Sequence, residues 1–399
     1  MNLPPLELEA AQARLLALVT PLPVERMPAS EALGRYLAEP LVARRTQPPA
    51  DLSAMDGFAV RDADLPGPWR VIGESACGHP FGGSIGAGDA VRIATGALLP
   101  AGAERVVLQE NCQREGDRLA LTATQDAARH VRAVGMDFTA GRELLPAGTR
   151  LGPAQIALAL CAGHRLIAVR RALRLTIIDT GDELASDPEN CGVHQIPASN
   201  GAMLAGMAAA LPCRISHGAP VPDRLDALVA ALEAASAADV IVTSGGASVG
   251  DHDLLRPALE QWGAELDFWR VAIKPGKPLL VARKGTVLVL GLPGNPVSSH
   301  VTAYLFMLPL LRALLGSAKP WPRPITAKLA ADLPPGGERR EFVRAAWNGT
   351  EVDPLRNQDS GALAALAASN ALIERPARSP GAIAGTLVPV YLLENGGIA

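Results

Sequence analysis

Apolar and polar positions recur with different periods along the chain, and each change of period predicts a new unit. Residues 6–20 place apolar side chains at helical spacing, and residues 29–38 predict a second, short helix with Ser30 as its N-cap. Residues 48–140 contain short apolar runs separated by Gly and Pro, which predicts a β-rich unit. Helical spacing returns at residues 153–168. We therefore expect the helical segments to pack together, with the β-rich unit inserted between them.

From residue 174 onward, short apolar runs alternate with helical segments. The predicted strands are 175–178, 214–217, 240–243 and 287–290, and the predicted helices are 200–211, 223–235, 254–262 and 297–315. Strands that alternate with helices predict a parallel sheet covered on both faces. A proline-rich linker at residues 316–324 follows, and the short apolar runs after it predict a small β-barrel or sandwich with strands at 325–329, 341–347, 371–374 and 386–392.

Composition places the chain among globular proteins of several domains. Its residues are 48% hydrophobic and 19% charged, as in globular proteins. A chain of 399 residues is long enough for about two to four domains. The formal net charge is −3, from 37 Lys plus Arg and 40 Asp plus Glu, and no basic stretch stands out. We therefore expect no nucleic-acid partner, and an anionic ligand would need a local site to attract it.

The cysteines and the N-terminus predict a cytoplasmic protein. The 5 cysteines are scattered, odd in number and without a CxxC pair, which argues against a disulfide framework or a structural zinc site. Glu7 and Glu9 precede the first apolar run, unlike a secretory signal. The most apolar stretch, residues 297–315, contains His300, Pro309 and Arg312, so we expect a buried helix and no membrane partner.

Three loops follow three of the predicted strands directly, at residues 180–183, 244–251 and 291–296. A parallel sheet brings such loops to one edge, outside the carboxyl ends of its strands, where ligands bind. In the second loop, glycines allow tight turns that point backbone N–H groups at an oxyanion, and serines add donors: Ser244, Gly245, Gly246, Ser248 and Gly250. We therefore expect a shared ligand site at this edge.

The acids that end the second loop indicate a cation. Asp251 and Asp253 would repel a bare phosphate, whereas Mg²⁺ binds one or two carboxylates together with substrate phosphates. The loop therefore predicts a site for phosphate and Mg²⁺. A tight turn followed by an acidic helix start is an equally good interpretation of the loop taken alone.

The other two loops carry weaker signals. Asp182 and Glu183 in the first loop suit a metal or the donor groups of a heterocycle, or else a solvated helix cap. The third loop is a rigid turn that presents backbone donors, or an ordinary strand-to-helix connection; it contains Pro293, Gly294, Asn295 and Pro296.

Charged residues outside these loops add candidate ligand contacts. The turn at residues 274–278 carries Lys274 and Lys277, and with Arg270 it suits an oxyanion, although surface lysines are favoured if the turn is taken alone. Asp56 stands among small and apolar residues, where a charge needs a partner, unless it belongs to an ordinary Asp-Gly turn. The histidines form no metal-ligand spacing, and the absence of a GxGxxG motif argues against a dinucleotide-binding oxidoreductase.

Taken in order, these motifs resemble the MoeA family, which includes the C-terminal domain of gephyrin. The matching segments are SAMDGFA at 53–59, RIATGA at 92–97, VRAVGMD at 131–137, TGDEL at 180–184, DVIVTSGGASVGDHD at 239–253, KPGKP at 274–278 and GLPGNPVS at 291–298. The resemblance spans essentially the whole chain. It implies an enzyme that takes adenylylated molybdopterin and molybdate, releases AMP and leaves molybdenum on the dithiolene sulfurs.

The resemblance implies an α/β multidomain fold and a homodimer. The expected units are a helical dimerisation domain at 1–45 and 141–172, a β-rich inserted domain at 46–140, a MogA-like α/β molybdopterin-binding domain at 173–318 and a C-terminal β-domain at 319–399. The family's active cleft lies between the sheet domain of one subunit and the β-rich domain of the other. Expected partners are a MogA-type adenylyltransferase and the molybdoenzymes that receive the cofactor.

The resemblance also assigns roles to residues by position. The catalytic candidates are Asp56, Thr95, Asp137, Glu183, Asp253 and Lys274, and Mg²⁺ is expected at Asp251 and Asp253. The substrate-binding candidates are Ser244, Gly245, Gly246, Ser248, Gly250, Arg270, Lys277, Pro293, Gly294, Asn295 and Pro296. Met136 stands where the family usually has Glu, and Arg270 stands where a second Lys is common.

Two other functions compete with this one. A molybdopterin adenylyltransferase would use the same second and third loops, but the β-rich insertion and the C-terminal domain favour insertion of the metal. A gephyrin-like scaffold is the alternative from another class, and the lack of a long linker argues against it.

Overall fold

The structure is a computed structural model that describes residues 5–124, 127–245 and 254–393. The side chains of residues 268 and 269 also lie outside that description. Five predicted site residues therefore fall outside the described residues: Gly246, Ser248, Gly250, Asp251 and Asp253.

The N-terminal segment contains helix α1 (Leu8–Ala17) and strands β1 (Val24–Pro28) and β2 (Leu41–Val42). The helix predicted at residues 29–38 is wrong, because only a 3₁₀ turn forms, at Ala29–Glu31. Ser30 lies inside that turn and caps nothing. Backbone pairing explains the difference: Tyr36 and Leu37 form bridges with Arg150 and Val169, which hold this stretch extended.

The inserted segment is β-rich, as predicted. Its strands are β3 (Leu52–Ser53), β4 (Gly57–Val60), β5 (Trp69–Ser75), β6 (Asp89–Ile93), β7 (Arg105–Leu108), β8 (Cys112–Glu115), β9 (Arg118–Leu121) and β10 (Val131–Arg132). The main sheet has the order β7-β4-β6-β5-β9-β8. Along β4, Phe58 and Val60 pack into one apolar cluster and Ala59 into another, so both faces of this strand are buried.

The chain then returns to the N-terminal segment through β11 (Glu143–Leu145), α2 (Pro153–Cys161) and β12 (Leu166–Arg170). The helix predicted over residues 153–168 is correct only as far as Cys161. Gly163 adopts a φ of 93°, which ends the helix. The residues of β12 pair antiparallel with β1 instead. An inserted β-rich unit therefore lies between segments that pair with each other.

The α/β segment contains the elements β13 (Leu173–Asp179), β14 (Leu184–Ala185), β15 (Ile196–Pro197), α3 (Asn200–Ala208), β16 (Cys213–His217), α4 (Leu225–Ala234), β17 (Val240–Ser244), α5 (Leu255–Trp262), β18 (Glu265–Arg270), β19 (Ile273–Lys274), β20 (Pro278–Lys284) and β21 (Val287–Leu292). The main sheet has the order β16-β13-β17-β21-β20-β18. Strands β16, β13, β17 and β21 are parallel to one another, as predicted. At one edge of the sheet, β20 pairs antiparallel with β21, and β18 pairs antiparallel with β20.

One continuous helix follows this sheet and forms its central packing partner. It consists of α6 (Pro296–Thr302), a π-helical turn at Ala303–Met307 and α7 (Leu308–Leu314). By length and composition Pro296–Leu314 resembles a membrane span, but 83% of its most apolar window is buried inside the protein. The prediction of a buried helix is therefore confirmed.

The C-terminal segment forms a closed β-barrel, as predicted. Its elements are β22 (Ile325–Leu329), β23 (Arg340–Trp347), β24 (Glu351–Pro354), α8 (Leu363–Ala367), β25 (Ala371–Arg375) and β26 (Leu387–Leu392). The barrel runs β23-β24-β22-β26-β25 and closes because β25 also pairs with β23. Strand β19 of the α/β segment adds to the barrel by pairing parallel with the start of β23.

Candidate active site

A cleft of about 830 Å³ opens at the carboxyl ends of the parallel strands. The first predicted loop contributes Thr180, Gly181 and Glu183, and the second contributes Ser244 and Gly245. The third loop contributes Pro293, Gly294, Asn295 and Pro296. The predicted convergence of the three loops is therefore confirmed for their described residues. The volume lies in the range of small-molecule ligand sites.

The second loop leaves its strand at a position that only glycine fits. Gly245 has a φ of 102°, and a Cβ there would lie 2.5 Å from the backbone oxygen of Thr180. The backbone N–H of Gly245 donates to the oxygen of Leu292 at 3.2 Å. The start of the loop is thus held between the ends of β13 and β21, and this close approach leaves no room for a side chain.

Asn200, at the start of α3, ties two of the loops together. Its Nδ2 donates to the Oγ of Ser244 at 2.9 Å and to the backbone oxygen of Gly294 at 2.7 Å. The third loop is also anchored to the C-terminal segment, because Asn295 Nδ2 donates to Ser360 Oγ at 3.2 Å. These bonds fix the relative positions of the second and third loops without a ligand. Such preorganisation lowers the entropic cost of binding.

A buried acid that the sequence analysis missed forms the floor of the cleft. Asp179 is 1% exposed, and its Oδ2 accepts from Gly201 N at 3.1 Å and lies 2.9 Å from His217 Nε2. Asp179 Oδ1 and Thr180 Oγ1 are buried and have no hydrogen-bond partner among the described residues. Unpaired buried polar atoms are costly, so both atoms are available to a ligand or a water molecule.

The rim of the cleft carries further acids. Glu183 is exposed, and Asp223, which the sequence analysis also missed, donates its backbone N–H to Asp182 Oδ1 at 3.0 Å. Within the described part of the chain, no group of three or more His, Cys, Asp or Glu side chains is placed to hold a metal. Isolated carboxylates match the oxygen donors that Mg²⁺ takes when substrate phosphates complete its coordination.

The predicted cations Arg270, Lys274 and Lys277 are not among the described lining residues of the cleft, although Pro278, next to Lys277, is. Lys274 Nζ pairs with Glu341 Oε1 of the C-terminal segment at 3.0 Å. The backbone oxygen of Lys277 accepts from Val271 N at 3.1 Å, and its side chain is exposed. The described contacts of Lys274 therefore link two segments of the chain.

Two of the three candidates in the β-rich segment, Asp56 and Thr95, contact each other. Asp56 Oδ1 accepts from Thr95 N at 2.7 Å and from Thr95 Oγ1 at 3.2 Å. The hydrogen bond from the Thr95 backbone N–H contributes most to holding the pKa of Asp56 below its ordinary value, followed by the bond from the Thr95 hydroxyl. The positive charge of Arg92 lowers this pKa further. Asp137 is exposed, and Met136 beside it is 63% exposed. None of these residues is among the described lining of the cleft of the same chain.

Comparison with known proteins assigns a family to each segment. Residues 6–163 match the family model described as "MoeA N-terminal region (domain I and II)". Residues 176–313 match "Probable molybdopterin binding domain", and residues 326–393 match "MoeA C-terminal region (domain IV)". The cleft lies mainly within the second of these matches.

Individual relatives match over nearly the full length. The molybdopterin molybdenumtransferase of Nostoc sp. is 35% identical over 366 residues, covering 86% of this chain and 83% of the relative. That of Haemophilus influenzae is 33% identical over 363 residues, covering 89% of each chain. A crystal structure of the molybdopterin biosynthesis MoeA protein from Pyrococcus horikoshii is 27% identical, covers 98% of this chain and 100% of that one, and superposes with a TM-score of 0.84. The chain therefore belongs to the MoeA family.

Proposed function

We propose that the chain is a molybdopterin molybdenumtransferase, which inserts molybdate into adenylylated molybdopterin and releases AMP. The convergence of three loops on one cleft, inside the segment that matches a molybdopterin-binding family, carries the proposal. The curated relatives that match most of the chain bear the same activity in their names.

The cleft supplies binding and orientation. Ser244 and the backbone around Gly245 and Gly294 face the ligand, and the bonds of Asn200 keep them in place. Thr180 Oγ1, which has no hydrogen-bond partner within the described part of the chain, is available to a polar group of the substrate, and Glu183 orients the ligand at the rim. Cleavage of a phosphate link depends mainly on positioning and charge stabilisation, so no dedicated nucleophile is required.

Asp251 and Asp253, at the end of the second loop, are the residues that we assign to Mg²⁺. When bound, the ion polarises the phosphate oxygens and offsets their charge. The sequence supports this assignment, because the two acids end a loop rich in Gly and Ser, and Mg²⁺ binds one or two carboxylates together with substrate phosphates.

We also assign the protein to a cytoplasmic homodimer in which Asp56, Thr95 and Asp137 reach the partner subunit's cleft. These residues are exposed and lie outside the described lining of their own cleft. Exposed apolar side chains stand beside them in the sequence, as expected for a surface that a partner covers: Met55, Leu98, Val134 and Met136. A MogA-type adenylyltransferase would supply the substrate, and apo-molybdoenzymes would receive the product.

AMP release tests the proposed activity. Purified protein is supplied with adenylylated molybdopterin, Mg²⁺ and molybdate, and AMP and active cofactor are measured together. We expect AMP release that depends on molybdate. Its absence from folded, dimeric protein overturns the assignment, and ATP-dependent adenylylation of molybdopterin in a parallel assay would identify the alternative enzyme.

A matched pair of variants connects that activity to the cleft. Glu183→Gln removes a charge at the rim and is expected to reduce turnover strongly. Glu189→Gln removes another exposed acid that is not among the described lining residues and is expected to leave turnover unchanged. Equal losses in both variants would show that the charge at Glu183 has no particular role.

A further inference from the structure

A second cavity lies on another side of the α/β segment and has no part in the proposed reaction. Its volume is about 440 Å³, within the range of small-molecule sites. It opens where the turn before α2, the C-terminal end of α3, helix α7 and the linker to the barrel meet. Met207, Leu211 and Leu308 form an apolar part of its wall, and Trp321 contributes an aromatic ring.

Four cationic side chains line this cavity from three separate stretches of chain. Arg150 comes from the turn before α2, Arg312 from α7, and Lys319 and Arg323 from the linker. Its described lining residues include no Asp or Glu. Among the described residues, no carboxylate forms an ion pair with Arg150, Lys319 or Arg323. Three of the four cations of the cavity therefore have no carboxylate partner among the described residues.

Two of the three arginines of this cavity, Arg150 and Arg312, are partly withdrawn from water. Arg150 Nε is buried and has no hydrogen-bond partner among the described residues, although Arg150 Nη2 donates to the backbone oxygen of Ala210. Burial lowers the pKa of Arg312, and the nearby charge of Arg150 lowers it further. Holding like charges together in a partly buried site is unfavourable unless an anion offsets them.

A tyrosine adds a neutral donor to the same site. Tyr36 is 4% exposed and lines the cavity. Burial raises the pKa of Tyr36, and the charges of Arg150 and Arg312, which oppose this rise, do not outweigh it. The phenol therefore stays protonated at neutral pH. Guanidinium, ammonium and phenol groups are the donors that bind tetrahedral oxyanions.

We propose that this cavity binds a small oxyanion, either inorganic phosphate or the phosphate group of a phosphomonoester, between Arg150 and Arg312. Lys319 and Arg323 complete the positive field at its mouth, where both side chains are exposed. The apolar wall with Trp321 accommodates the organic part of a phosphomonoester. The site is separate from the cleft, since the described linings of the two share no residue.

Crystals soaked in selenate test the location of the site. Selenate is a tetrahedral oxyanion whose selenium is located by anomalous scattering. We expect a selenium peak between Arg150 and Arg312, whatever is found in the cleft. Peaks confined to the cleft or to the outer surface would overturn the proposal, as would a partner subunit's carboxylate filling the cavity.

Calorimetric titration with inorganic phosphate at low ionic strength tests the affinity. The double variant Lys319→Ala/Arg323→Ala alters exposed side chains only, and we expect it to weaken binding at this site by about tenfold or more. Lys328→Ala, which removes an exposed cation from β22 outside the described lining of the cavity, is the matched control and should bind as the unaltered protein does. Titration with AMP and with adenosine, repeated on the double variant so that binding in the cleft is common to both proteins, separates the two sources of phosphate. A component that the double variant loses, and that is tighter for AMP than for inorganic phosphate, assigns the phosphomonoester. Identical phosphate isotherms for all three proteins would contradict the proposal.

Discussion

At Gly201 one additional methyl group would collide with two side chains of the cleft floor. A Cβ there would lie 2.1 Å from His217 Nε2 and 2.4 Å from Asp179 Oδ2. Gly201→Ala is therefore expected to lower the free energy of unfolding by about 1–3 kcal/mol, the usual cost of overpacking. Urea-induced unfolding measures this change.

A second glycine of the same helix provides the control. At Gly206 an added Cβ would meet nothing within 4 Å. Gly206→Ala is expected to be neutral or to stabilise the helix by up to about 1 kcal/mol, because alanine has the higher helix propensity. Similar losses in both variants would rule out the contact with Asp179 and His217 as the cause.

Residue-level prediction depended on whether the sequence neighbours of a side chain are also its surroundings in the fold. Asp56 was expected to need a partner as a charge among apolar residues; it accepts two hydrogen bonds from Thr95, but it is exposed in the turn before β4, so burial is not the reason. Asp179 was missed because it simply ends an apolar run. Its partners, Gly201 and His217, are brought to it by folding, and nothing in their spacing along the chain indicates the contact.

At the scale of elements, Asp239 joins the start of β17 to the start of β13. Its carboxylate is 9% exposed and accepts from Arg171 at 2.7 Å and from Arg174 at 2.9 Å. Burial alone would raise the pKa of Asp239, but the hydrogen bonds from these arginines outweigh it and lower the pKa from 3.8 to about 2.

The sign of the resulting pH dependence follows from this lowered pKa. The contribution of Asp239 to stability is complete above pH 3.8 and is lost as the pH falls towards about 2. This contribution amounts to about 2 kcal/mol. Asp239→Asn should remove it at neutral pH and should make the free energy of unfolding less dependent on pH at the acid end of the curve.

Asp226→Asn is the control. Asp226 pairs with Arg224 where both side chains are 68% exposed, so little change in stability is expected there. Denaturant unfolding between pH 2 and 7 compares the two, and an unaltered acid limb in Asp239→Asn would contradict this account.

Helices and strands were predicted correctly where the hydrophobic periodicity is strong. The wrong predictions lie where a strand forms by pairing with a segment far away in the sequence. The buried run of β17 and the apolar helix at Pro296–Leu314 lie where the sequence placed them. Residues 166–170 were read as the end of a helix, but they form a strand because β1 pairs with them from about 140 positions away. Helical spacing in a short segment does not reveal such a partner, and the same limitation explains the extended chain around Tyr36.

At the scale of the whole molecule, the proposal that each cleft is shared between two subunits can be tested with mixed dimers, in which each subunit carries a different substitution. Asp56→Asn and Glu183→Gln should each reduce activity strongly when every subunit carries the same substitution. A mixed dimer would contain one doubly altered cleft and one intact cleft, so the isolated mixed dimer should show about half of normal AMP release, and an unseparated random mixture about a quarter. Co-expression with two different affinity tags isolates the mixed dimer. No recovery in a verified mixed dimer would show that each cleft uses residues of a single chain.

The attachment of the barrel has a consequence for how the molecule loses its structure. Phe342, Leu366 and Leu372 of the C-terminal segment belong to the same apolar cluster as the helix at Pro296–Leu314. Strand β19 is also paired to β23, so the linker is not the only junction. Separation of the barrel from the α/β segment would expose apolar side chains of that segment to water and leave backbone groups of β19 and β23 without hydrogen-bond partners. We therefore expect the two segments to unfold as one cooperative unit, with a single transition in calorimetry rather than two.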